Sequence, residues 1–290
     1  MSKKTEAIAS LKSAAKEAGG AHLTVEARMR TAARLGESLY AQGFKFQGVD
    51  TIAGRHIVSY MAERKEEGAS LRTMQNEMSH IRGLLSACGR DGLAGDAKLS
   101  NATLGIDGAC RNGSKVAATD EQYREAVAVA ARHSPSSVAA ALQLERTLGL
   151  RCGEAIRSGA SLKSWERQLQ AGGTVEVIFG TKGGRERTAV VPDREAAIAA
   201  VRHARGVSED NNGHLFAGSL KQASAEYRNN MYVHVEIQGH ALRYAYAMDL
   251  VDLFRSQGFS EKEVFAKVAL SLGHGDGRGR YVRQVYARRA

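Results

Sequence analysis

The sequence contains little cysteine and little proline. Among its 290 residues the only cysteines are Cys88, Cys110 and Cys152, and no C-x-x-C pair occurs. This argues against a disulfide framework and against a cysteine-type zinc site, and it favours a reducing compartment. The two prolines, Pro135 and Pro192, are typical of a mostly helical chain with few rigid turns.

Long hydrophobic runs are also missing. No stretch approaches the roughly 18 apolar residues that a membrane-spanning helix needs. The first twenty residues lack the apolar region of a secretory signal, so we expect no such signal. The sequence therefore predicts a protein with no membrane partner.

Positive charge is present in excess. The chain has 41 Lys and Arg against 31 Asp and Glu, which gives a formal net charge of +10. A charge of this sign favours binding to polyanions such as nucleic acid. Hydrophobic residues make up 43% and charged residues 25%, which is a globular composition.

Composition divides the chain into four segments. Residues 1–20 form a polar lead, either a helix or a loose arm, and residues 21–90 carry apolar stripes at helical spacing. Residues 91–118 are rich in Gly, Ser, Asn and Asp and predict an extended linker. Residues 119–290 predict a second domain, in agreement with a length of about 150 residues per domain.

The second domain combines helices with a small sheet. Thr119 is a predicted N-cap, and Ser136–Leu148 is a predicted helix. Residues 174–179 and 188–191 alternate as strands do, and they flank a Gly-rich turn at residues 180–187. The predicted fold class is therefore mostly α with a small antiparallel β-sheet.

Four short segments of this domain carry residues suited to phosphate chemistry. Arginine forms bidentate bonds to phosphate oxygens, a lysine on a turn can act as general acid, and a tyrosine can act as nucleophile. Two residues three apart on a helix share a face. With no metal cage in the sequence, arginines would stabilise the developing charge, and neither metal nor other cofactor is expected. The candidates, in chain order, are Arg151, Lys182, His240, Arg243, His274, Tyr281 and Tyr286.

Each candidate alone has an ordinary explanation, such as a solvated arginine or a packed tyrosine. Their order along the chain favours a shared function: an arginine, a hairpin lysine, H-x-x-R, Leu-Gly-His and then tyrosine. In this order and context, residues 115–290 resemble the catalytic domain of the tyrosine recombinases of the phage-integrase type. The first domain resembles the helical core-binding domain of that family in architecture. The resemblance implies a two-domain clamp around duplex DNA.

The resemblance also implies roles for individual residues. Arg151 would be the first catalytic arginine, and Glu154 would be the acidic residue that supports it. Lys182 would donate a proton to the leaving 5′ oxygen. His240 and Arg243 would be the H-x-x-R pair.

The C-terminal end fits the family less closely. His274 would be the second histidine, and the nucleophile would form a 3′-phosphotyrosine. Tyr286 lies farther from His274 than the family tyrosine does, and Tyr281 lies closer. We prefer Tyr286 because residues 282–286 resemble the end of the family motif, and we keep Tyr281 as the alternative. Few residues follow Tyr286, so protomer contacts are expected elsewhere, for example in the N-terminal lead.

The predicted function is site-specific recombination or integration of DNA by a mobile genetic element. The expected partner is a double-stranded recombination site, bound by a homotetramer that is a monomer or weak oligomer when free; the need for accessory DNA-bending proteins is left open. Arg72 and Gln75 are candidates for base contacts, although a solvated helix face explains them equally well. We expect the protein at the nucleoid, in the cytoplasm of a bacterial or phage-infected cell. The alternatives are a DNA-binding protein of the same fold without cleavage activity, or a relaxing enzyme like the type-IB topoisomerases.

Overall fold

A computed structural model describes residues 2–109, 116–181, 184–237, 239–275 and 277–286. The chain divides into two compact units, Met1–Cys110 and Arg111–Ala290. Both are mainly helical, and the described residues contain one two-stranded sheet, in the second unit. The predicted fold class is thus confirmed. No helix in the described part of the chain is long and apolar enough to cross a membrane.

The first unit is a helical bundle. Ser70 begins one of its helices as predicted, because its side-chain oxygen accepts a hydrogen bond from the Thr73 amide at 3.2 Å. The apolar stripe of that helix, including Met74, Met78 and Ile81, is buried. The helices of this unit are α1 (Lys3–Glu17), α2 (His22–Ala41), α3 (Gly54–Glu66), α4 (Leu71–Ala87) and α5 (Asp91–Ala94), with 3₁₀ turns at Val49–Thr51 and Ala97–Leu99.

The ends of the first unit differ from the predicted segments. The expected lead contains helix α1, whose Leu11 is fully buried in the core of this unit. Helix α2 approaches it closely at Gly36, where an added Cβ atom would lie 2.6 Å from Ile8 Cγ1. The expected linker also contributes, since Leu99 and Ile106 are buried in the same core.

The second unit begins at the predicted cap. Thr119 caps α6 (Asp120–His133), and α7 follows over the predicted range Ser136–Leu148. Helix α7 is buried on most of its sides, in keeping with its apolar sequence. The remaining helices are α8 (Cys152–Ile156), α9 (Leu162–Ala171), α10 (Arg194–Asp210), α11 (Leu220–Val233), α12 (Gly239–Ser256), α13 (Glu261–Ser271) and α14 (Gly279–Val285), with a 3₁₀ turn at Ser158–Ser161.

The sheet is an antiparallel pair of short strands, β1 (Thr174–Val177) and β2 (Arg187–Val190). Thr174 lies opposite Val190, and Val177 lies opposite Arg187. Helix α9 packs against β1, and the Trp165 indole nitrogen donates to the Glu176 carbonyl at 2.7 Å. This arrangement turns the inner face of β2, with Arg187 and Ala189, toward the protein interior.

Candidate active site

A tight turn places Arg151 at the start of α8. Helix α7 ends at Leu148, and Gly149 adopts φ +59°. An added Cβ atom at Gly149 would lie 2.2 Å from the Tyr246 ring, so both the conformation and the space require glycine. The turn makes Arg151 the N-cap residue of α8.

Glu154 holds Arg151 by two bonds. The Arg151 amide donates to Glu154 Oε2 at 2.9 Å, and its Nη1 donates to Oε1 at 2.6 Å. Arg151 Nη2 also donates to the Leu272 carbonyl at 3.2 Å. Burial by itself raises the pKa of the Glu154 carboxyl, but the Arg187 and Arg243 guanidinium groups reverse this and leave the pKa below its usual value. Glu154 is therefore ionised.

Arg243 lies beside Glu154 and has no exposed surface. It donates to the carbonyl oxygens of Gly149 and Leu272. Its guanidinium also lies 3.9 Å from Glu154 Oε2. Burial, with Arg187 and Arg151 nearby, lowers the pKa of Arg243 to about 10, which still leaves it charged at neutral pH.

A third arginine, Arg187, completes this cluster. From β2 its Nη2 donates to Glu154 Oε2 at 2.8 Å and to the Gly149 carbonyl at 3.2 Å, and its Nη1 donates to the Ser271 carbonyl at 2.6 Å. Arg187 was not among the predicted site residues. The sequence predicted residue 187 as the last residue of the Gly-rich turn, whereas in the structure β2 begins there and its alternation puts Arg187 on the inward face.

His274 and Tyr286 are joined directly. Helix α13 ends at Ser271, and the turn at Gly273 brings the His274 ring toward α14. His274 Nε2 and Tyr286 Oη form a 3.0 Å hydrogen bond that either atom can donate. Burial and the nearby arginines, Arg243 foremost, lower the pKa of His274 to about 4, so its ring is neutral at pH 7.

The Tyr286 ring is 3% exposed and lies among aromatic side chains. Tyr244 stacks on it with ring centroids 4.5 Å apart and an angle of 24° between the planes. Tyr281, the alternative nucleophile, is 37% exposed, and its ring centroid lies 5.2 Å from that of His274. Tyr244 was not among the predicted site residues, and its only signal in the sequence is its place directly after Arg243.

His240 is exposed at the start of α12 and lies next to this aromatic group. Its ring meets Tyr244 edge to face with centroids 5.8 Å apart. Lys182, predicted on the hairpin turn, lies outside the described residues. In the part of the chain that is described, no three His, Cys, Asp or Glu side chains form a group that could hold a metal ion.

The two candidate base-contacting residues belong to the first unit and lie on α4. The Gln75 side-chain nitrogen donates to the Ile106 carbonyl at 2.7 Å, and Arg72 Nη1 donates to Gln75 Oε1 at 3.4 Å. Arg72 is exposed, while Gln75 is half-buried. Gln75 thus has a structural contact within the unit, and its role in base contacts stays a prediction.

Comparison with known families gives matches on both units. Residues 105–249 match the family described as Integrase, and residues 1–94 match the family described as Phage integrase, N-terminal. No curated protein matches the sequence at a significant level.

The similar solved structures include two that extend over most of this chain. The Tn1549 transposon integrase in complex with transposon right end DNA gives a TM-score of 0.60 at 15% identity, over 98% of this chain and 96% of that chain. The XerH site-specific recombinase bound to its difH substrate gives a TM-score of 0.54 at 15% identity, over 92% of this chain and 76% of that chain. At these identities the likeness shows a shared fold.

Proposed function

The chain belongs to the integrase family of tyrosine recombinases, and on this basis we propose that it cleaves and rejoins DNA at specific sites through a covalent 3′-phosphotyrosine. Its relatives in fold were solved with DNA recombination substrates. The proposed substrate is accordingly a double-stranded recombination site of a mobile genetic element.

One observation carries the proposal: the hydrogen bond of 3.0 Å between His274 Nε2 and Tyr286 Oη. It pairs a neutral imidazole with a phenol, which is the arrangement of a nucleophile and its base. The Leu272 carbonyl, two residues before this histidine, accepts from both Arg151 and Arg243. The arginine cluster and the tyrosine are thus linked through one turn of the backbone.

In the proposed cleavage step Tyr286 Oη attacks the scissile phosphorus. The bond from Oη to phosphorus forms, the bond from phosphorus to the 5′ oxygen breaks, and the phenolic proton passes to His274 Nε2. Lys182 supplies a proton to the leaving 5′ oxygen, a role that rests on the sequence pattern alone. Rejoining is the reverse reaction, with the 5′ hydroxyl of another strand as nucleophile.

The arginines are proposed to stabilise the negative charge that develops on the phosphate. Of Arg151 and Arg243, Arg151 is the more accessible, with 22% of its side chain exposed. Arg243 is buried and bonded to backbone carbonyls, so it contributes its charge from beneath the site while holding the turn. His240, at the exposed start of α12, is proposed to contact the phosphate from the solvent side.

The proposed working form is a homotetramer on DNA that is a monomer or weak oligomer when free. Its proposed place is the nucleoid, in the cytoplasm of a bacterial or phage-infected cell. With four protomers each making one cut, two duplexes can be cut and rejoined in pairs.

Covalent capture tests the nucleophile. The wild-type chain, incubated with a library of nicked suicide duplexes in EDTA, should form a DNA adduct that denaturing electrophoresis resolves. Tyr286→Phe should abolish the adduct because phenylalanine has no oxygen to attack the phosphorus. Tyr281→Phe is the matched control and should leave the adduct in place.

Other outcomes of this experiment separate the alternatives. Capture that persists in Tyr286→Phe and is lost in Tyr281→Phe would make Tyr281 the nucleophile. Binding without an adduct on any duplex would indicate a DNA-binding protein without cleavage activity. Relaxation of supercoiled DNA without preference for a site would indicate a topoisomerase-like enzyme. A strict divalent-metal requirement would contradict the proposed mechanism.

A further inference from the structure

We propose that Arg187, on strand β2, is a positioning residue of this site. It holds Arg151, the first arginine, and His274, the second histidine, in their positions relative to each other. The proposal rests on the function proposed above. It concerns a side chain of which only 2% is exposed, and it therefore assigns Arg187 no contact with DNA.

The contacts of Arg187 connect three parts of the site. Its guanidinium donates to Glu154 Oε2 at 2.8 Å, to the Ser271 carbonyl at 2.6 Å and to the Gly149 carbonyl at 3.2 Å. The first acceptor holds the site arginine. Ser271 lies three residues before His274, and Gly149 lies two residues before Arg151. One side chain thus ties both catalytic turns to the sheet.

The backbone next to His274 packs directly against this side chain. An added Cβ atom at Gly273 would lie 2.7 Å from Arg187 Cδ, and this glycine adopts φ +67°. The turn that aims His274 at Tyr286 is therefore shaped around the Arg187 side chain. A shorter or differently shaped residue at position 187 would leave the turn without this support.

The positive charge of Arg187 indicates a role other than packing. Burying a cation costs free energy, and a well-packed apolar residue would often stabilise the interior as well or better. Yet Arg187, Arg151 and Arg243 all lie around Glu154, so three guanidinium groups share one ionised carboxylate. The excess positive charge suits a pocket that receives a phosphate.

Loss of Arg187 changes the partners of Glu154. Its Oε2 atom would lose a bond of 2.8 Å, and the Arg243 guanidinium lies 3.9 Å from the same oxygen. We expect Glu154 to move toward Arg243 and away from Arg151. The two catalytic arginines would then be displaced relative to the tyrosine.

Arg187 also acts on His274 through its charge. The charged groups around that imidazole are Arg243 from α12, Arg151 before α8, Arg187 from β2 and Arg278 before α14, and each disfavours its protonation. Two phenol side chains also contact this imidazole: Tyr286 is hydrogen-bonded to it, and the Tyr281 ring meets it edge to face. Removing one of four cations should raise the pKa of His274 toward its ordinary value.

Two variants of the full chain separate charge from geometry. Arg187→Gln removes the charge, and Arg187→Lys keeps the charge but has a different donor geometry. Arg202→Gln is the matched control, since Arg202 forms an ion pair with Glu166 on the surface of the same unit. The pKa of His274 is measured by NMR, with the signal identified from its absence in His274→Gln. Single-turnover cleavage of a nicked duplex and its Kd are measured in parallel.

In Arg187→Gln we expect the His274 pKa to rise, and the cleavage rate to fall by about tenfold to a hundredfold because the reacting groups are misplaced. The Kd for DNA should stay within about threefold, since the side chain is buried. Arg187→Lys should keep a low His274 pKa and recover part of the lost rate. Arg202→Gln should match the wild type in all three measurements.

An unchanged His274 pKa and an unchanged cleavage rate in folded Arg187→Gln would overturn the proposal, and so would a loss confined to Kd. If Arg187→Gln does not fold, a wild-type cleavage rate in Arg187→Lys overturns it and a reduced rate supports it. If the wild type captures no DNA, the proposed function fails. The NMR titration then still decides whether Arg187 controls His274.

Discussion

At the scale of single residues, Glu145 shows how the interior near the site controls ionisation. This carboxyl on α7 is fully buried; one oxygen accepts from the Tyr227 hydroxyl at 3.0 Å, and the other has no hydrogen-bond partner among the described residues. Burial raises the pKa of Glu145 to about 8, although the hydrogen bond from Tyr227 opposes this. Glu145 is therefore mostly protonated at neutral pH.

This shift makes stability depend on pH in a defined direction. The folded pKa lies above the unfolded value, so the contribution of Glu145 is fully present below about pH 4.5 and is lost as the pH rises through about 8. Glu145→Gln cannot ionise and keeps the hydrogen bond from Tyr227. At about 1.4 kcal/mol per pKa unit, the variant should be more stable than the wild type by a few kcal/mol at pH 8, and about equal to it at pH 5. Thermal unfolding followed by circular dichroism measures this.

Glu166→Gln is the matched control for this prediction. The bonds from Arg202 and Arg205 hold the pKa of Glu166 below its usual value, so its contribution is present at pH 8 and its loss should not stabilise the protein. A gain in Glu145→Gln that is equal at pH 5 and pH 8 would show that ionisation of Glu145 is not the cause.

The sequence could reveal some residues of the site and not others. The difference lies in whether a residue belongs to a recognisable pattern. The residues of the family motif have a recognisable order, and the structure brings Arg151, Arg243 and Glu154 into one cluster. Glu145 and Arg187 belong to no such order. Hydropathy treats a charged residue as exposed, and only the tertiary fold shows that these two are buried.

At the scale of elements, helix α1 was the least predictable part of the first unit. Its composition is polar, and apart from Leu11 its buried residues are Ala7, Ala14 and Ala15. Alanine gives a weak hydrophobic signal but allows two helices to approach closely. By contrast, α7 was predicted with its observed ends because Ser136–Leu148 is apolar on most of its surface and is bounded by Pro135 and Gly149.

Leu11→Ala tests whether α1 is part of the first unit. The side chain is fully buried, so its truncation should destabilise the unit by about 2–5 kcal/mol. Lys12→Ala, at the exposed neighbouring position, should change stability by less than about 0.5 kcal/mol. Urea unfolding of the full chain measures both. Equal effects of the two substitutions would favour the loose arm that the sequence left open as one alternative.

At the scale of the whole molecule, the two-part organisation follows from length and composition, but its boundary does not. The Gly-rich stretch after residue 90 resembles a linker in composition. In the structure Gln75 donates to the Ile106 carbonyl, and Ile106 is buried in the core of the first unit. Composition reports local flexibility and cannot show which residues of a loop a core will bury.

The net charge of +10 gives the last prediction. If phosphate contacts supply most of the affinity for DNA, each counterion released on binding adds to the salt dependence. For a protein with six to ten such contacts, raising the salt from 50 to 200 mM would weaken binding by about 10³–10⁵-fold. Fluorescence anisotropy with a labelled duplex measures the slope of log K against log salt. Tyr286→Phe should keep this slope because the substitution removes no lysine or arginine, even though the variant forms no adduct. A flat slope in the wild type would mean that phosphate contacts do not drive binding, and base contacts from residues such as Arg72 would then have to supply the affinity.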